Sequence, residues 1–408
     1  MQDEVFRMEE KRMEICELAG VCGGCLHQGT PYEEQLAAKE REVHALFEKA
    51  GITPVKFDTI EGCPSPYRYR NKMEYTFGDL VKDGPLELGM HKKRQFMSVV
   101  TVDHCQLVPE DFNRVLRYTL DFCLEHAYPK YNKKSHQGLL RNLVVRCGVR
   151  TGELLVNIVT ASPVCGVTFD AEGWCQGLSA LNLDGRIAGV LHTEFDGLAD
   201  KVGCDRLHIV FGQDYYMEHL LDLDFKVNEF SFFQTNVEAV ERLYSEAVAL
   251  IDEIEGKTVY DLYCGTGTIS QVMARRAKQV IGVELVQDSV DAAIDNAALN
   301  GLSNCRFLCG DVYKVLDKAG STEETELPAP DVIVVDPPRV GMSREAVDKI
   351  AGYGVPQIVY VSCNPKTLVQ NLAQFQELGY ETVYAKPYDN FPMTKHVECV
   401  VLMSRADR

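Results

Sequence analysis

The chain has 408 residues, 46% of them apolar and 25% charged, and a formal net charge of −18 from 42 basic and 60 acidic side chains. This is the composition of a folded globular protein long enough for two or three domains. It excludes a chain that binds nucleic acid over its whole surface, while leaving room for a local basic groove.

No apolar run reaches the length of a membrane span, and the N-terminal stretch lacks the apolar core of a secretory signal. A cytoplasmic protein with no membrane partner is therefore expected. Fifteen cysteines are many. Most, such as Cys147, Cys175, Cys264, Cys305 and Cys309, lie in or beside apolar runs and read as buried reduced thiols.

Fifteen residues precede CELAGVCGGCLHQ, which sets Cys16, Cys22 and Cys25 close together. With a distant fourth cysteine, this spacing suits zinc or an iron–sulfur centre equally well. A thioredoxin-like redox pair would need a βαβ setting that the flanks do not offer. Residues 32–50 follow the helical period, with Leu36, Val43, Leu46 and Phe47 as the apolar stripe and Gly51 as the stop.

From residue 65 to about 223 the pattern turns to short alternating segments. Strands are expected on either side of a Lys-Asp-Gly turn and of Thr151-Gly152, with one helix over 110–126. Three basic segments fall here: YRYRNK, HKKR and YPKYNKK. Arg68, Arg70, Lys92, Lys93, Lys133 and Lys134 are candidate phosphate contacts. Tyr67, Tyr69 and Tyr131 are available for stacking on bases.

Beyond Phe232 strands and helices alternate through 258–406, with a polar loop at 321–330. This predicts a doubly wound α/β sheet covered on both faces. DLYCGTGTIS places Gly265 and Gly267 between a strand and a helix, and Glu284 ends the next strand, where a carboxylate can bind a ribose. The pattern fits an adenosine-containing ligand without separating NAD from S-adenosylmethionine. Ser270 stands where the dinucleotide fingerprint has its third glycine, which favours the methyl donor. Asp336-Pro337-Pro338-Arg339 fixes a carboxylate at a strand end, able to grip a substrate amide.

QIVYVSCNPKTL puts Cys363 at another strand end, before a helix whose start can lower a thiol pKa. Methylating carbon 5 of a pyrimidine requires such a nucleophile, because carbon 5 is unreactive until a thiolate has added at carbon 6. A base must then take the carbon-5 proton. Glu398 is the first choice, and His396, two residues earlier on the same strand face, the support or alternative.

These segments together resemble the bacterial RNA uracil-5 methyltransferases, in particular the 23S ribosomal RNA branch with a [4Fe-4S] cluster. The resemblance is carried by CELAGVCGGC, FFQTN, DLYCGTGTIS, GVEL, DPPR, YVSCNPKTL and FPMTKHVE. It implies Cys363 as nucleophile and Glu398 as base. Gln234, Tyr263, Gly265, Gly267, Thr268, Glu284, Asp311 and Asp336 would line the cofactor site. Cys105 would join Cys16, Cys22 and Cys25 as cluster ligands, with Cys63 the local competitor. Several relatives begin with a small β-barrel, which is expected to be absent here.

The implied organisation is an iron–sulfur segment and helix (1–55), a strand-rich α+β RNA-binding domain (56–230) and a class I methyltransferase domain (231–408). The implied reaction is methylation of a uridine in 23S rRNA by a monomeric enzyme. The same chemistry on tRNA, or a non-catalytic RNA-binding role, are the alternatives.

Overall fold

The computed structural model describes residues 15–163, 166–199, 202–312, 315 and 327–406. The stretch before residue 15, most of 313–320 and the first part of the loop expected at 321–330 lie outside the described residues.

The C-terminal half builds an eight-stranded sheet. Valine- and isoleucine-rich segments such as VIVV are buried on both faces, as a sheet covered by helices demands. The strands are β1 (Lys56–Phe57), β11 (Thr258–Leu262), β12 (Gln279–Glu284), β13 (Cys305–Cys309), β14 (Val332–Val335), β15 (Gln357–Ser362), β16 (Tyr380–Tyr388) and β17 (Glu398–Arg405). In the order β1-β16-β17-β15-β14-β11-β12-β13, β17 runs antiparallel to both its neighbours. This is a Rossmann-like, doubly wound α/β sheet, as the sequence predicts. The helices α5 (Thr268–Ala274), α6 (Gln287–Leu299), α7 (Arg344–Gly352) and α8 (Pro365–Glu377) connect its strands. Asn364 caps α8 by accepting from Lys366 N, and Pro365 sits in its first turn, where a missing N–H costs nothing.

The edge strand β1 (Lys56–Phe57) comes from far upstream and pairs parallel with β16. It follows α1 (Tyr32–Lys49), whose Val43 and Phe47 join the core beneath the C-terminal sheet. The buried stripe of α1 differs from the expected one. It is Gln35, Lys39, Val43 and Phe47, while Leu36 and Leu46 are only half-buried.

The strand-rich middle is a seven-stranded sheet, β4-β3-β2-β5-β6-β7-β8. Its members are β2 (Lys72–Gly78), β3 (Glu87–Lys92), β4 (Gln95–Thr101), β5 (Leu140–Cys147), β6 (Glu153–Thr160), β7 (Arg186–Glu194) and β8 (Arg206–Gly212). Only β6 and β7 are parallel, joined through the crossover helix α3 (Ala171–Ser179). That helix and α2 (Glu110–Glu125) enclose a core with Trp174, whose indole N–H donates to Thr119 Oγ1 at 3.1 Å. The hairpin of β9 (Tyr215–Leu220) and β10 (Leu223–Asn228) then leads to α4 (Val237–Ala249).

The two sheets are tied together beside this hairpin. Asn71 donates its backbone N–H to Thr235 O (3.0 Å) and its side-chain amide to Gln234 O (3.0 Å). The buried Arg146 guanidinium donates to the carbonyls of Asn228 and Ser231. No described helix is long and apolar enough to cross a membrane.

Candidate functional site

The carboxyl ends of β11, β12, β14 and β15 open into a cavity of about 1240 Å³. Open α/β sheets bind ligands at this edge. All fourteen candidate site residues except Gly267 line the cavity, in two lobes.

In the first lobe the chain leaves β11 through a tight turn. Tyr263, Gly265 and Gly267 all have positive φ (66°, 54° and 72°). A Cβ on Gly267 would come within 2.7 Å of the Phe307 ring and 2.9 Å of Ala293 Cβ, so both conformation and space demand glycine. Glu284 at the end of β12 accepts from three backbone N–H groups, those of Gly265 (3.1 Å), Leu285 (2.8 Å) and Val286 (3.0 Å). The carboxylate thus braces the glycine turn while also lining the cavity. Thr268 and Asp311 line the same lobe, and Gln234 reaches it from the other side, donating to Tyr244 Oη at 3.2 Å. Behind the turn, buried Asp261 accepts from Ser270 Oγ, and burial pushes its carboxyl up to about 7.

Cys363 and Glu398 meet where β15 and β17 end. Their antiparallel register ends at the pair Ser362–Cys399, which leaves Cys363 just past β15 and Glu398 at the start of β17, close enough for the carboxylate to act on the thiol. Burial pushes the Cys363 thiol up to about 11, the Glu398 and Asp336 carboxylates adding to the rise and Arg339 opposing it. The expected lowering by the helix start is thus outweighed, because desolvation and two acidic neighbours penalise the thiolate more than one helix end favours it. Burial raises Glu398 to about 7, with Arg339 again opposing. Asp336, half-buried on the cavity wall, is pushed up to about 8 by its surroundings and secondarily by Glu398.

His396 lines the cavity too, but β17 begins only at Glu398. His396 therefore enters from the preceding loop and not by strand alternation. Sequence reasoning passed over Arg339. Its backbone carbonyl is held by Asn364 Nδ2 (2.9 Å) and Thr367 Oγ1 (3.3 Å), and its charge acts on Cys363, Glu398 and His396. Its place directly after the paired prolines was the available signal.

Cys16, Cys22, Cys25 and Cys105 line the second lobe. Burial raises Cys25 and Cys105, to about 12 and about 11, and in each the other cysteines add to the rise. Cys63 packs near Cys25 and Cys105 but does not line the cavity, and its thiol accepts from Asn236 Nδ2 at 3.2 Å. Among the described residues no group of three or more His, Cys, Asp or Glu is placed to hold a single metal ion. The four thiols come from two segments, 16–25 and 105, and share this one wall of the cavity.

The basic segments divide. Lys92 and Lys93 sit beside Cys22, with Lys93 N donating to Val21 O at 2.8 Å, and Arg70 lines the cavity with a buried, unpartnered Nε. Tyr69 is no stacking platform: it is buried, its hydroxyl donating to Pro392 O at 3.0 Å. The 128–134 segment lies off at the far end of β2, where Lys130 pairs with Asp79, and Tyr131 is stacked against Arg141. Strand β2 separates it from the cavity by about 20 Å at 3.3 Å per residue.

The chain is similar to several known proteins. The family model described as tRNA (Uracil-5-)-methyltransferase matches residues 202–406. An RNA methyltransferase of Clostridium tetani is 45% identical over 407 residues, covering 100% of this chain and 86% of that protein. One from Clostridium acetobutylicum is 48% identical over 390 residues, covering 96% and 83%. Among solved structures, the Pyrococcus abyssi tRNA (uracil-54, C5)-methyltransferase in complex with S-adenosyl-L-homocysteine shares the fold. Its TM-score is 0.74 at 24% identity, over 94% of this chain and 86% of that one. The chain belongs to the family of S-adenosylmethionine-dependent RNA (uracil-5) methyltransferases.

Proposed function

We propose that Cys363 is the nucleophile and Glu398 the base of methyl transfer to carbon 5 of a uridine. The observation that carries this reading is their cross-strand juxtaposition at the mouth of the cavity, beside the glycine turn. S-adenosylmethionine supplies an electrophilic methyl group. Gln234, Tyr263, Gly265, Gly267, Thr268, Glu284 and Asp311 form its bed, with Asp336 between cofactor and uracil.

Cys363 adds as thiolate to carbon 6, making carbon 5 nucleophilic. After methylation, Glu398 takes the carbon-5 proton and the thiolate leaves. Arg339, the nearby cation, favours the ionised thiol. An Asp336 carboxyl that keeps its proton near neutrality can donate to a uracil carbonyl. Because the ring must be reached on both faces, the uridine is flipped out of its RNA fold into the cavity.

Two observations bear on which RNA is used. The matched family and the Pyrococcus protein are named for transfer RNA, which favours a tRNA uridine. The cysteine quartet favours 23S rRNA, since the ribosomal branch that the chain resembles carries such a quartet on a [4Fe-4S] cluster and the transfer-RNA branch does not. In this scheme residues 1–55 carry three of the cluster ligands, 56–230 supply Cys105 and the RNA-facing groups, and 231–408 carry out the transfer.

Purified protein with labelled S-adenosylmethionine and unmodified tRNA or 23S rRNA tests both levels of the reading. Label in 5-methyluridine is expected, lost in Cys363→Ala, and the RNA that accepts it decides the substrate. Label in cytidine or adenosine, or RNA retention without transfer, would overturn the reading.

A further inference from the structure

The loop from Asp389 to His396 leads into Glu398, yet much of what shapes it comes from the other end of the chain. Lys39 Nζ of α1 donates to Asp389 Oδ1 at 2.7 Å and to Phe391 O at 3.2 Å. One turn earlier, Gln35 accepts from Met393 N at 3.1 Å and donates to Met393 Sδ (3.3 Å) and Thr30 O (2.8 Å). Leu26 N, next to Cys25, donates to Met393 O at 2.7 Å. Met393 itself stands at φ 64°, a conformation an L residue holds only when its surroundings impose it.

Gln35 and Lys39 are 2% and 4% exposed, a polar pair on the helix face that otherwise buries Val43 and Phe47. The Lys39–Asp389 pair is buried on both sides, with side chains 5% and 0% exposed. Burying both charges costs nearly what their attraction returns, so such a pair adds little net stability over an apolar pair of the same shape. What it does provide is direction: an ammonium inside the protein must meet its carboxylate and carbonyl where they are. Thr394 and His396, just past the gripped residues, line the cavity, and Glu398 follows.

We propose that Gln35 and Lys39 are positioning residues for the catalytic base, gripping residues 389–393 so that Glu398 stands within reach of the carbon-5 proton of the methylated adduct. This rests on the assignment of Cys363 and Glu398 made above. In the step concerned, the carbon-5 proton moves to the Glu398 carboxylate and the C5–H pair re-forms the C5=C6 bond. The C6–S pair leaves on Cys363 sulfur. A misplaced carboxylate slows this step alone and leaves the earlier addition and methyl transfer standing.

Lys39→Met keeps the aliphatic stem and removes the grip, and Lys39→Arg keeps a charge able to reach Asp389. Each is compared with the wild-type full chain, using the RNA that the wild type methylates. Lys39→Met is expected to lose about 10²-fold in kcat, the size of loss that a misplacement near 1 Å brings. KM and Kd for S-adenosylmethionine should be unchanged, and a denaturation-resistant, methylated RNA–protein adduct should accumulate. Lys39→Arg should recover at least part of kcat and shed the adduct.

A loss of kcat without adduct, matched by an equal loss of folded or cofactor-binding protein, would reduce Lys39 to a structural role and overturn the proposal. So would wild-type kcat in Lys39→Met. A wild type that forms no 5-methyluridine on either RNA would instead overturn the underlying assignment.

Discussion

The two lobes of the cavity are made in opposite ways. The transfer lobe is built largely from the ends of neighbouring strands in one sheet, whose ladder brings the ends that carry Asp336, Cys363 and Glu398 side by side. The cysteine lobe takes three of its four thiols from a segment, residues 15–31, that contains no helix or extended strand. It is fixed by single hydrogen bonds to other parts of the chain, such as Gly23 N to His91 O (3.0 Å) and Leu26 N to Met393 O (2.7 Å). A sheet edge is over-determined by its ladder, whereas a loop wall is only as firm as its few anchors. Damage to the first should therefore act on chemistry, and damage to the second on RNA recognition.

The largest effect that would break this contrast is at Cys363. Cys363→Ala should yield no 5-methyluridine at all, with the affinity for S-adenosylmethionine retained in calorimetry. Next, Glu398→Gln should slow turnover by about 10²–10⁴-fold, the usual worth of a general base, and trap the methylated adduct on denaturing gels. In the wild type the rate should rise with pH through about 7, because Glu398 must lose its proton to act as base. Above about 8 it should level off, because Asp336 then loses the proton it donates to the uracil while Cys363 ionises only towards about 11.

Gly267→Ala forces a side chain onto positive φ against Phe307 and Ala293. A loss of about 1–3 kcal/mol in denaturant unfolding is expected, together with weaker cofactor binding. On the other wall, Cys22→Ser should weaken RNA binding by about tenfold, or 1.4 kcal/mol, in a filter assay and leave cofactor affinity alone. Unchanged RNA binding would erase the distinction between the lobes.

A further effect is on the pH dependence of stability. Asp336 and Glu398 hold protons up to about 8 and about 7 when folded, whereas in an unfolded chain they release them near 4. Folding therefore takes up protons. The stability they contribute is fully present below about pH 4 and is lost as the pH rises through 7 to 8. Asp336→Asn should flatten that decline, seen as a higher Tm than wild type at pH 8 and little difference at pH 4.

The transfer lobe was the legible one because its causes are local. Glycines at a strand–helix turn, Asp-Pro-Pro at one strand end and Ser-Cys-Asn-Pro at another each signal position by neighbouring residues alone. The cysteine spacing gave donors without an acceptor; the resemblance, not the spacing, chose between zinc and iron–sulfur and supplied Cys105. The face of α1 was misread for a physical reason. Its stripe was sought among leucines, while the packing buried Gln35 and Lys39, whose partners Met393 and Asp389 lie at the other end of the chain. Tyr69 likewise looked like an exposed aromatic within a basic run, and only the tertiary structure puts Pro392 against its hydroxyl.

The pairing of Lys56 with Tyr384 and Phe57 with Ala385 has a consequence in time. The edge strand β1 leaves the ribosome early, but its neighbour β16 is among the last segments made, and so is the loop that α1 grips. Until then α1 has no surface on which to bury its ammonium. Contacts this distant along the chain are slow to close, since the intervening chain must be ordered first. The nascent protein can assemble the middle sheet during synthesis, but Glu398 is set in place only after the C-terminal strands emerge. A truncated product of translation would then carry the cysteine segment and basic loops with no means of transferring a methyl group.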